Sequence, residues 1–171
     1  MGKMHKCVPQ REEIMYNIGD KIVYPMHGAG VINEIEEREI LGEVRQYYIL
    51  NMPHGDMKIM IPVDKCDEIG VRTIIDEEQV KDVLEILGAE STPMPSNWNH
   101  RNRENMERIK TGAIEEVAGV VRNLTRVEHV KNLSTGEKKM LNNARHILAS
   151  EIVLATGKSS DEVEEMIDEA I

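Results

Sequence analysis

The sequence predicts an α+β protein: a small N-terminal β-barrel domain followed by a C-terminal all-α helical domain. Three observations predict it. Between Tyr16 and Val71, short apolar runs alternate with turns marked by Gly and Pro, as in a small, strongly bent sheet or barrel. From Asp76 onward the apolar residues recur at i, i+3, i+4 and i+7, the period of a helix with one buried face. Pro93 and Pro95 lie between the first such helix and the rest, where they keep the chain extended.

Each element has its own signal. Residues 1–14 show no period and read as an irregular extension, with Met15 available as an alternative start. Lys21 to Tyr24 is a strand stopped by Pro25, and Met26-His27-Gly28-Ala29-Gly30 reads as a turn. Strands follow over Val31–Arg38, Val44–Asn51 and Met57–Ile61, with turns at Gly42 and at Pro53-His54-Gly55-Asp56; a last short strand is expected over Glu68–Val71. Asp76 with Gln79 opens a helix, and Gly88 closes it. Helices are then expected over Asn99–Lys110 and Ala113–Lys131. Ser134 and Ser159, each with Glu three residues on, open two more. The organisation is an extension over 1–14, a β domain over 15–72, a helix and Pro-containing linker over 73–97, and a helical domain over 98–171. On its own strand pattern the β domain is expected to fold alone.

Composition bounds the function. No apolar run approaches the ~20 residues of a spanning helix, and residues 1–14 lack the apolar stretch of a secretion signal. Cys7 and Cys66 are far apart, so they read as reduced thiols of a cytoplasmic protein. With Phe absent and 11 Met present, the core must be aliphatic and Met-rich. No pair among His5, His27, His54, His100, His129 and His146 has metal-ligand spacing, and no nucleophile elbow, phosphate loop or dinucleotide fingerprint occurs. The expectation is a protein without cofactor or metal that is not an enzyme.

Charge points elsewhere. The chain carries a net charge of −10, yet residues 98–157 hold 10 Lys and Arg against 7 Asp and Glu, net +3. That segment begins with the only tryptophan, Trp98, flanked by Asn97 and Asn99 and followed by His100, Arg101 and Arg103. Lys138 and Lys139 fall in the first turn of the Ser134 helix, where the dipole disfavours cations; they fit an outside anion or a solvated surface. Trp98 fits a core residue or a flat wedge for a minor groove.

The strings Gly19-Asp20-Lys21-Ile22-Val23-Tyr24-Pro25-Met26-His27-Gly28, Ile61-Pro62-Val63, Asn97-Trp98 and Gly136-Glu137-Lys138-Lys139-Met140-Leu141, leading into Ala144-Arg145 and Ile147-Leu148, give the chain a resemblance to the CarD/CdnL family of bacterial transcription regulators. It runs from about Tyr16 to the C-terminus. The resemblance implies a Tudor-like β domain that binds lobe 1 of the RNA polymerase β subunit. It also implies a helical domain that touches promoter DNA at the upstream edge of the melted region. The protein is expected to act as a monomer. Trp98 then matches the residue that sits in the splayed minor groove. Arg101, Arg103 and Lys138, with His100 and Lys139 beside them, match DNA-facing positions. Arg38 matches a basic polymerase contact, and Met60 stands where some relatives carry Arg. A second reading makes the protein an adaptor that binds other proteins through both domains without touching DNA.

Overall fold

The structure is a computed structural model that describes residues 16–171. The extension expected over 1–14 lies outside the described residues. Strands β1 (Lys21–Tyr24), β2 (Gly28–Ile40), β3 (Glu43–Met52), β4 (Met57–Pro62) and β5 (Arg72–Thr73) form one antiparallel sheet in the order β4-β3-β2-β1-β5. A bulge between Ile32 and Glu34 resets the alternation in β2. One face buries Ile22, Ile32, Tyr48, Leu50, Met52 and Ile61, with Cys66 beneath them.

Two details differ from the sequence reading. Residues 66–69 form a one-turn helix, α1 (Cys66–Ile69), and the last strand falls at Arg72–Thr73. The run around Glu68 has no period-two alternation. A single helical turn, closed by the N–H groups of Gly70 and Val71 on the Cys66 carbonyl, instead drops Cys66 into the core. The second difference is at Gly28-Ala29-Gly30. These residues are already strand, paired with Tyr24, Val23 and Ile22.

The helices are α2 (Glu77–Gly88), α3 (Trp98–Lys110), α4 (Ile114–Val130), α5 (Thr135–Thr156) and α6 (Ser160–Ala170). Asp76 and Gln79 form the expected capping box, and Ser134 and Ser159 accept from the N–H groups of Glu137 and Glu162. A single aliphatic core unites Val80, Val83 and Leu87 of α2 with Val117, Val121 and Leu124 of α4, Leu148 and Ile152 of α5, and Val163 and Ile167 of α6. Residues 89–97 lie along this bundle. Arg126 donates to Ala89 O and Ser91 Oγ, Asn123 exchanges hydrogen bonds with Thr92, and Met94 packs on the core.

The sheet is seated on α5. Gly28, at φ 116°, leaves no room for a side chain, since a Cβ there would lie 2.6 Å from Ser150 Oγ. The next amide, Ala29 N–H, donates to that hydroxyl at 2.9 Å. Val23 and Ala29 pack with Leu154, and Met26 reaches the helical core. Beside this contact Glu151, 2% exposed, receives both ends of the Arg72 guanidinium at 2.7 Å and the Ile75 N–H at 2.9 Å. Arg72 also donates to Gly112 O. The stretch Met26-His27-Gly28-Ala29-Gly30, read from sequence as a turn, is therefore part of the joint between the two units. The expectation that the β unit folds alone meets an interface in which Glu151, Val23 and Ala29 are all buried.

Candidate nucleic-acid interface

Asn97 caps α3 by accepting from His100 N–H, and this puts Trp98 at the first helical position. Ser134 caps α5. The two helix starts meet. Trp98 Nε1 donates to Ser134 Oγ at 3.1 Å, and the edge of the indole comes as near as 3.5 Å to where a Cβ on Gly136 would be. Trp98 as a whole is 45% exposed. It is neither a core residue nor a free flag: one edge is fixed by a polar contact, and the remainder faces outward. Two helix N-termini with partial positive charge converge beneath it.

Arg101 organises this corner from below. It forms a two-pronged pair with Glu137 at 2.9 and 3.1 Å and donates to the carbonyls of Pro95 and Ser96. Glu137 is buried, and the Arg101 guanidinium beside it holds its carboxyl below the usual glutamate range. The same bonds raise Arg101 further. One residue thus ties the end of the 89–97 segment to the first turn of α5. The capping box expected at Ser134 is half formed: Ser134 Oγ accepts from Glu137 N–H and donates to the Glu137 carboxylate, which Arg101 also holds.

Arg108, Arg122 and Arg126 of the positive segment also turn inward. Arg108 pairs with Glu116 at 2.7 Å. Arg122 is buried without a carboxylate and donates to Ile86 O and Asn123 Oδ1. Arg126 adds Leu87 O and Ala89 O. Two guanidiniums therefore answer the negative end of α2. What remains outside is smaller than the sequence count: His100, Arg103, Lys131, Lys138 and Lys139 are exposed and form no ion pair among the described residues.

Arg38 and Met60 sit far along the other unit. The register pairs Arg38 with Arg45, Glu36 with Tyr47, and Glu34 with Ile49; Ile49 in turn pairs with Met60. Glu34, Glu36 and Arg38 alternate onto one side, so Arg38 and Met60 share the sheet face opposite the Tyr48 core. Arg38 is half-exposed and pairs with Glu36 at 2.9 Å. Met60 is partly buried beside Ile49 on the edge strand β4. The face mixes a neutralised cation with an apolar strip.

Sequence reasoning missed the partners that hold these positions. Ser134 was legible as a cap but not as the acceptor for Trp98. Ser150 and Glu151 carried no signal, because a polar residue in a helix looks the same whether it meets solvent or a sheet. Among the described residues there is no cluster of three or more His, Cys, Asp or Glu side chains suited to a metal, and no helix is long and apolar enough to cross a membrane.

A small antiparallel β unit carried on a helical bundle, with a fixed, half-exposed tryptophan between two helix starts, defines a two-unit α+β protein. Residues 16–75 match the family model for the CarD-like/TRCF RID domain, and residues 82–168 match that for the CarD C-terminal domain. A Bacillus subtilis (strain 168) protein named "Putative transcription factor YdeB" is 41% identical over 149 residues, which cover 87% of this chain and 97% of that protein. The chain belongs to the CarD-like family of transcription factors, and its β unit is Tudor-like. That membership points away from catalysis.

Proposed function

We propose that the protein binds RNA polymerase through its β unit and stabilises the promoter open complex through its helical unit. The observation that carries the reading is Trp98: half-exposed, its indole N–H anchored on Ser134, over two helix N-termini and near unpaired cations. An aromatic plate fixed at one edge suits the splayed minor groove at the upstream edge of the bubble, where it opposes reclosure. His100, Arg103, Lys138 and Lys139 then meet backbone phosphates, which position the wedge without reading sequence. Arg101 supports the same surface by fixing the segment before Trp98.

The polymerase contact uses the face that carries Arg38 and Met60, set against lobe 1 of the β subunit. The protein acts as a cytoplasmic monomer. Few exposed cations on an acidic chain give weak DNA affinity at physiological salt. Held on polymerase, the helical unit meets DNA at an effective concentration on the order of millimolar, so little intrinsic affinity is needed. DNA footprinting with and without polymerase tests this. Protection at the upstream bubble edge should appear only with polymerase and should disappear in Trp98→Ala. Polymerase binding without any DNA protection would favour the adaptor reading.

A further inference from the structure

The β2–β3 hairpin runs beyond the sheet. β1 pairs with β2 only as far as Val31, and β4 pairs with β3 only from Tyr47 onward. Residues from about Glu36 to Gln46 therefore form a two-stranded ribbon with no third strand, an arrangement of marginal stability by itself. Its end is Leu41-Gly42, with φ of 53° and 79°. These are the angles of the two-residue hairpin turn that prefers Asn-Gly. Leu41 occupies the Asn position. It is 99% exposed in a left-handed conformation that a side chain branched beyond Cβ gains nothing by adopting. Its neighbours Ile40 and Val44 are also exposed, and the pairing of Ile40 with Glu43 and Glu39 with Val44 puts these two on opposite faces of the ribbon. The tip is apolar at its end and on both sides.

An apolar surface on both faces cannot be covered by laying the ribbon on a flat partner; the partner must close around it. Charge defines that partner further. Glu34, Glu36, Glu37, Glu39 and Glu43 collar the tip against Arg38 and Arg45, and both arginines are already paired, with Glu36 and Glu43 at 2.9 and 2.8 Å. The collar is net negative, which opposes nucleic acid, anionic lipid and the same ribbon of a second copy.

We infer that the hairpin tip Ile40-Leu41-Val44 is an anchor that inserts into an apolar cleft with a basic rim on the protein partner of the β unit. This rests on the polymerase reading above and deepens it. Leu41 carries affinity, and the Glu36-neutralised Arg38 carries little. The contact is therefore mainly apolar, and the acidic collar adds a smaller part that salt screens.

Leu41→Asn tests it, because Asn suits the turn and removes the apolar plug. The full-length chain is titrated against purified bacterial RNA polymerase at low and high salt, with a thermal melt in parallel. The inference expects an equal or higher melting temperature, an affinity lowered about tenfold to a hundredfold, and wild-type binding that changes less than about threefold across the salt range. Wild-type binding with Leu41→Asn unchanged overturns the anchor and leaves the polymerase reading intact. Absence of wild-type binding overturns the polymerase reading itself. Flotation of wild type, but not Leu41→Asn, with anionic phospholipid vesicles would assign the tip to a membrane and overturn the inference.

Discussion

Replacing Trp98 by Ala separates packing from function by magnitude. Trp98 as a whole is 45% exposed, so folding hides about half of the roughly 150–250 Å² that a buried aromatic removes from water. At ~25 cal/mol per Å² this is about 2–3 kcal/mol as an upper bound. The exposed hydrogen bond to Ser134 adds about 0.5 kcal/mol, and Ala keeps part of the contact and favours the helix. The expected cost is about 2 kcal/mol, a fall in Tm of roughly 4–8 °C for a chain of this size. A fully buried Trp would cost about 3–5 kcal/mol. Loss of a stacking plate of about 1–3 kcal/mol in the open state should shorten open-complex lifetime by about tenfold, with initial polymerase binding unchanged. The assays are a thermal melt and the decay of heparin-challenged open complexes. A Tm loss beyond about 12 °C would make Trp98 a core residue. A lifetime equal to that with wild type would refute the wedge.

Other outcomes follow from particular contacts. Ser134→Ala removes the cap of α5 and the Trp98 acceptor together; it should cost about 1–2 kcal/mol in a denaturant melt, and Ser134→Thr should restore most of it. Glu151→Gln breaks the two-pronged Arg72 pair at the joint and should cost about 2–4 kcal/mol, loosening the sheet from α5 as read by hydrogen exchange at Ile75 and Ala29. Gly28→Ala and Gly42→Ala both place a side chain at positive φ, but only Gly28 faces Ser150. The first should cost about 2 kcal/mol more than the second, and equal melting points would show that the joint yields. For pH, burial depresses the His146 imidazole, with the neighbouring His54 adding to it, and burial depresses His27. Both stay neutral in the fold while the unfolded chain takes up protons near the ordinary histidine value. Their contribution is thus complete above that value and is lost as pH falls through it toward the folded values. Tm should decline from pH 7.5 to 5.5, with a shallower decline in His146→Gln.

The sequence by itself determined what is local. Alternating runs and turn residues fix the strands, because a pleat repeats every two residues; apolar spacing and the Asp76, Ser134 and Ser159 caps fix the helices, because a helix start must satisfy its own first amides. The charge reversal at Trp98 and the string around Lys138 marked a candidate surface. Tertiary structure decided everything that depends on which polar groups meet. Arg101, Arg108, Arg122 and Arg126 count as positive charge in a sequence, yet the fold turns them onto Glu137, Glu116 and the carbonyl end of α2, leaving fewer cations outside. Gly28 reads as a turn, yet it serves a helix more than a hundred residues away, at Ser150. Trp98 allowed both a buried and an exposed reading until Ser134 was beside it. A hydrogen bond or an ion pair needs two partners, and a linear pattern shows only one of them at a time.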